Sequence, residues 1–261
     1  MIRIFVLLCA LASPVSAETL RLAVTTSFHN SGLADILLPE IAADIGLEVQ
    51  LLTVGTGQAL RLAAAGDVDA VLVHARSAEE AHIAAGHAPH RREIMYNDFI
   101  LLGPAADPAN AASAPTARAA LSAIAAAQAP FVSRGDDSGT HKAEQALWST
   151  DPSSFGAWYR STGSGMGAAL NTAVAMDAYI LSDRASWLNF GNPGGLVIHI
   201  EGDPALFNQY AYLPVSASKG QHINAAGAAR LEAWLVSDTA KALINGYKLR
   251  GAPLFTWNAQ R

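Results

Sequence analysis

One cysteine, Cys9, is all the chain has, so no disulfide framework and no cysteine-based zinc site can form within it. Charge is sparse as well: 15% of the 261 residues are charged, 17 basic against 22 acidic, for a formal charge of −5. That balance lacks the basic face with which a general nucleic-acid binder neutralises phosphates. Beyond residue 17 no apolar run reaches the roughly 20 residues that a membrane span needs. What the chain does have is apolar residues, 51% of the total. This excludes a disordered chain and allows a sizeable core, in one or two domains.

Met1–Ala17 reads as a signal peptide. Arg3 is the positive n-region, Ile4 to Ala12 a short apolar stretch, Pro14 a breaker, and Val15-Ser16-Ala17 a small-residue cleavage site. A lipoprotein would use Cys9, but bulky Leu8 stands where a small residue is needed. Cleavage after Ala17 removes Arg3 and Cys9, leaving 16 basic and 22 acidic residues and a mature chain starting at Glu18. The expectation is an exported protein, periplasmic in a bacterium.

From Leu20 onward strand and helix signals alternate, which predicts a parallel-rich sheet with helices on both faces. The first series has strands at Leu20–Val24, Leu47–Thr53 and Asp69–His74, separated by helices to about Asp44, over Gln58–Ala65 and over Ser77–Ala85. After an extended segment, Ile94–Gly103, and a Pro/Ala/Asp-rich loop the series restarts. Helices are expected over Thr116–Gln128, Thr140–Trp148, Ser153–Tyr159 and Gly167–Asp177, with strands at Phe131–Ser133, Ala178–Leu181, Leu196–Glu201 and Gln209–Val215. The last 40 residues read as mainly helical. Two α/β units suggest two lobes joined near Tyr96–Leu102 and Tyr210–Val215. Lobe I is then 18–98 with 214–261, and lobe II is 99–213. A single sheet with a long insertion is the alternative. Trp148, Trp158 and Tyr159 are expected in the core of the second lobe.

Three segments share one layout of strand, small polar turn and helix start: Thr25-Thr26-Ser27, Gly55-Thr56-Gly57, and the run from Ser133 through Arg134, Ser138 and Gly139 to Thr140. In open α/β sheets ligands gather at the carboxyl ends of strands. A helix start there offers free N–H groups and the positive end of the helix dipole, which suits an anion. Hydroxyls add donors, and Arg134 adds a fixed charge with several donors. The bland alternative is that these residues merely cap helices.

Two other classes use residues of the same chain. Ser133 or Ser138 with His141 and Asp136 or Asp137 has the residue types of a hydrolytic triad, but a triad is assembled from separate segments rather than from neighbours. His82, His87 and His90, with His74 nearby, could suggest zinc. Their spacing across Gly86 and Pro89 does not place them on one helical face, and solvated surface histidines are the plainer reading.

The same segments carry a family resemblance. Thr25-Thr26-Ser27, Ser31-Gly32-Leu33 and Leu37-Leu38-Pro39 resemble the start of the tungstate-binding proteins of tungstate ABC transporters. So do Val54–Leu60, Asp69–His74, Arg92–Phe99, Ser133–His141, and Gly165–Ala168 with Leu170-Asn171, which together span nearly all of the mature chain. The resemblance implies an α/β, two-lobed type II periplasmic binding protein fold. It also implies a tetrahedral oxyanion, tungstate or molybdate, captured between the lobes for a membrane permease and its ATPase. It implies no cofactor and no catalytic residue. Carried over by position, the ligand-binding set is Thr25, Thr26, Ser27, Thr56, Ser133, Arg134, Ser138, Gly139 and Thr140, in a protein expected to be a monomer. One departure stands out: Val24 occupies a position where relatives often have a third threonine, and strand alternation would aim Val24 and Thr26 the same way. Phosphate is the competing anion, since it carries a proton at neutral pH and profits from a carboxylate acceptor. Asp136 and Asp137 are expected to turn away, to pair with Arg134 or to cap the helix.

Overall fold

Residues 18–260 are described by a computed structural model of the chain; the leader expected over Met1–Ala17 lies outside the described residues. The first series runs β1 (Glu18–Thr25), α1 (Thr26–Asn30), α2 (Leu33–Ile45), β2 (Leu47–Val54), α3 (Thr56–Ala65), β3 (Ala70–Val73) and α4 (Arg76–Ala84). It leads into β4 (Arg92–Pro104). The second series is α5 (Ala117–Ala127), β5 (Phe131–Ser133), α6 (Gly139–Leu147), β6 (Tyr159–Ser161), α7 (Met166–Met176), β7 (Tyr179–Asp183), α8 (Arg184–Asn189) and β8 (Leu196–Ile200). The chain finishes with β9 (Phe207–Pro214), α9 (Ala225–Leu235), α10 (Asp238–Gly246), β10 (Lys248–Leu249), β11 (Ala252–Pro253) and β12 (Thr256–Trp257). No helix among the described residues is long and apolar enough to cross a membrane.

The strand order is β2-β1-β3-β9-β4-β7-β5-β6, with β12 and β8 also paired to β4. β4 belongs to both halves. Its residues Arg92–Asp98 pair with β9, and Phe99–Pro104 pair with β7 and β8. Within each half the neighbours β1, β2 and β3, and likewise β5, β6 and β7, run parallel. The helices between them cover both faces, as parallel connections require.

Side-chain alternation divides the apolar residues between the faces. Leu20, Leu22 and Val24 of β1 enter one core with Phe28, Leu33, Leu37 and Trp234, while Ala23 joins Val71, Val73 and Leu213 on the opposite face. In the second half of β4, Phe99 and Leu101 pack with Phe131, Trp148 and Tyr179. Ile100 and Leu102 pack on the other side with Val132, Leu170 and Ile180.

Three expectations differ from this structure. First, Phe207–Leu213 was expected in the second lobe, yet β9 pairs along its length with β3 and with the first part of β4. Tyr210 and Tyr212 are fully buried in the first core, so the return crossing lies before Phe207. Second, Ser153–Tyr159 is not a helix. After a single 3-10 turn, Tyr159–Ser161 joins β5 as a strand, and Phe155, Trp158 and Tyr159 close around Trp148. Aromatic packing outweighs the weak local helix preference there. Third, the chain after Gly246 forms short strands instead of helix.

Candidate functional site

The three polar turns come from both halves of the sheet and line one cavity of about 410 Å³. In the first turn β1 stops at Thr25, whose Oγ1 accepts the Phe28 N–H at 3.3 Å and caps α1. Thr26 is therefore helical, not extended, so strand alternation does not link it to Val24. Val24 is buried in the first core, and it is not among the residues lining the cavity. Ser27 Oγ lies 3.0 Å from Thr25 Oγ1, 3.1 Å from Tyr210 Oη and 3.2 Å from His74 Nε2. Burial pushes the His74 imidazole down to about 4 and the Tyr210 phenol up to about 12, so both are neutral at pH 7. In the second turn Gly55 takes the cap position in extended backbone and Thr56 begins α3.

In the third turn Ser138 caps α6, its Oγ accepting the His141 N–H at 3.3 Å. Asp136 faces back into the turn, accepting Arg134 Nη2 at 2.5 Å and the Ser138 N–H at 3.2 Å. Burial alone would raise the Asp136 carboxyl. Hydrogen bonds from Ser138 and Arg134 outweigh it and hold the group below the usual carboxylate range. Arg134 Nε is buried and has no hydrogen-bond partner among the described residues. Gly135 has φ +60°, and a Cβ there would lie 1.6 Å from Ser161 Oγ, so the turn requires glycine. Asp137 also lines the cavity, 3.5 Å from Lys142 Nζ.

The cavity brings together Thr25, Thr26, Ser27, Thr56, Arg134, Ser138, Gly139 and Thr140. Ser133 is not with them. It ends β5 fully buried, its Oγ unbonded and close to Glu144 and Tyr159, so it lies behind the turn rather than on the cavity wall.

Three helix starts open on this cavity. Their first amide N–H groups, at Thr26 and Ser27, at Thr56 and Gly57, and at Gly139 and Thr140, have no intrahelical acceptor. Arg61 from the first half and Arg134 and Lys142 from the second outnumber Asp136 and Asp137 around the cavity, a net positive lining. The arrangement can hold a small anion through N–H and hydroxyl donors from both halves at once.

Sequence reading missed Arg61, Lys142 and His74. His74 directly follows β3, so the rule that sites gather at strand carboxyl ends would have found it. The rival readings find little support. His141 Nδ1 accepts the Asp137 N–H at 3.1 Å, and its Nε2 lies 2.9 Å from Gln145, so neither ring nitrogen faces a serine hydroxyl. His82 is buried rather than solvated, and burial pushes it down to about 4. His90 pairs with Glu232 at 2.9 Å. Among the described residues no group of three or more histidine, cysteine or acidic side chains could hold a metal ion.

Comparison with known proteins places these features in context. A family model described as PBP superfamily domain matches residues 12–239. The tungstate-binding protein TupA of Peptoclostridium acidaminophilum is 46% identical over 245 residues, covering 92% of this chain and 86% of that protein. The TupA of Campylobacter jejuni is 33% identical over 90% of this chain and 89% of its own length. Among solved structures, the tungstate-binding protein TupA from Desulfovibrio alaskensis superposes with a TM-score of 0.87 at 42% identity, covering 94% of this chain and all of the other.

Proposed function

Because this chain belongs to the PBP superfamily, and within it to the family of the tungstate-binding TupA proteins, we propose that it captures tungstate, and molybdate of nearly equal size, for an ABC importer. The observation that carries the reading is the convergence of donors. Helix starts from both halves, together with Arg134, line one cavity of about 410 Å³. A dianion bound there satisfies amide donors of α1, α3 and α6 at the same time. The ligand set is Thr25, Thr26, Ser27, Thr56, Arg134, Ser138, Gly139 and Thr140, with Ser133 supporting the turn from behind. Binding without turnover fits the engagement of both His141 nitrogens away from any nucleophile. The two halves act as lobes, with the membrane permease as the partner that receives the anion after export.

The state of Asp136 favours a fully deprotonated ligand over phosphate. Both of its oxygens are already occupied, by Arg134 and by the Ser138 N–H. Accepting the proton that phosphate carries at neutral pH would compete with these bonds for the same two oxygens. Calorimetric titration should give tungstate and molybdate the tightest binding, with sulfate and phosphate much weaker. Phosphate as the tightest ligand would sink the assignment.

Closure is the second expectation. Donors on α1 and α3 lie on one half and those on α6 on the other, so a bound anion is fully coordinated only when the halves meet. Small-angle scattering should show a smaller radius of gyration with tungstate than without. Tight binding with an unchanged radius would argue against a moving cleft hinged on β4 and the segment before β9.

A further inference from the structure

The cavity has one point where the two halves touch through a ring and a bare backbone. His74 follows β3 in the first half, and Gly139 opens α6 in the second. A Cβ built on Gly139 would lie 2.5 Å from His74 Cε1 and 3.1 Å from Nδ1. The backbone does not demand glycine here: Gly139 is not among the residues with positive φ. It is the first helical residue, where alanine has the better helix preference. The space, not the conformation, excludes a side chain.

The ring is held firmly from its own side. Its Nε2 lies 3.2 Å from Ser27 Oγ, and its face packs on Tyr210 with centroids 4.8 Å apart. Tyr210 is fully buried and itself bonded to Ser27. The imidazole therefore has little freedom to retreat if something pushes on it from Gly139. Such a contact between rigid surfaces sets a minimum separation.

We propose that His74 is a positioning residue that fixes how closely the two halves approach, its ring seating directly on the side-chain-free face of Gly139. This deepens the oxyanion-binding reading and rests on it. With the ring seated on Gly139, the Gly139 and Thr140 amides on α6 face the same cavity as the Thr26 and Thr56 starts. A single methyl at 139 must push α6 away by roughly an ångström to restore ordinary contact. Donors displaced by that much lose most of their hydrogen bonds to a shared ligand.

A double-mutant cycle tests the contact. In the parent background Gly139→Ala should weaken tungstate binding at least tenfold by calorimetry and reduce the ligand-induced compaction seen by scattering. With His74→Ala already present, the same Gly139→Ala change should cost less than threefold, because the ring it strikes is gone. Equal factors in the two backgrounds, or no effect of Gly139→Ala in the parent, would overturn the proposal. Should Gly139→Ala fail to fold by circular dichroism, the double variant decides: recovery of folding supports the contact, and persistent unfolding overturns it. The parent titration separates this question from the function itself. A parent that binds no oxyanion refutes the functional reading, whereas a parent that binds tungstate while the cycle shows no coupling refutes only the role of His74.

Discussion

Arg134→Ala is expected to weaken tungstate binding roughly 100- to 1,000-fold or more. Stripping one partner from a buried ion pair costs about 3–5 kcal/mol, and every 1.4 kcal/mol or so is tenfold in affinity. Two effects combine at this site. The ligand loses a cation that sits 17% exposed in the cavity wall, and Asp136 loses its Arg134 partner and keeps only the Ser138 N–H. The freed carboxylate then faces the incoming dianion. Removing it as well, in Arg134→Ala with Asp136→Ala, should therefore recover part of the loss. Arg134→Lys should rescue partly, since an ammonium supplies charge without the planar fork that reaches Asp136 and the cavity together. Ser27→Ala should cost far less, on the order of 0.5–1.5 kcal/mol for one neutral hydrogen bond. Its Oγ is already shared among Thr25, His74 and Tyr210. Calorimetry on the four variants checks the order. If Arg134→Ala binds tungstate like the parent while Asp136→Ala abolishes phosphate binding, the cavity is a phosphate site.

Asp69→Ala should be the most damaging single change to stability outside the apolar core. Asp69 is 2% exposed. Its carboxylate accepts the Arg21 backbone N–H at 2.8 Å, the Arg21 guanidinium at 2.9 and 3.1 Å, and the Asn224 N–H at 2.9 Å. One side chain thus ties β1 to the start of β3 and to the N-cap of α9. Alanine leaves two amides and a guanidinium without this acceptor, an expected loss of about 3–5 kcal/mol. For a domain of this size that lowers the melting temperature by roughly 6–20 °C. A shift under 2 °C would contradict the account.

The same carboxylate carries a pH dependence of known sign. Burial would raise the Asp69 carboxyl, but the bonds from Arg21 and Asn224 outweigh it and leave it below its ordinary value. A folded value below the unfolded one means that the stabilisation is complete above the unfolded value, about 3.9. It is lost as pH falls through the lower folded value. Asp69→Asn should remove part of the acid sensitivity below about pH 4 and little near pH 7. Thermal melts across that window, parent against variant, measure the difference.

Much of this molecule was legible in its sequence. Alternation in Leu20–Val24 and the helical spacing of Leu33, Ile36, Leu37 and Ile41 located β1 and α2, because burying one face imposes a period on a lone element, although Ile36 stays exposed. The polar turns were readable for the same local reason: a helix start at the end of a strand needs a cap, and Thr25 and Ser138 supply it. The spacing from Arg134 to Ser138 and Thr140 placed a cation beside a helix start within one loop. Other features were decided only when distant segments met. Tyr210 belongs with the first core because β9 pairs with the first part of β4, placing Tyr210 opposite Met95, which no local pattern in Phe207–Pro214 reveals. Ser133 falls behind the turn, since the last residue of β5 packs toward Glu144 and Tyr159. His74 reads as a surface histidine in its own neighbourhood and becomes a half-buried, neutral ring only where Ser27, Tyr210 and Gly139 close around it. Local periodicity and capping follow from neighbours along the chain, whereas burial, protonation and contact across the cavity depend on groups that only the folded chain brings together.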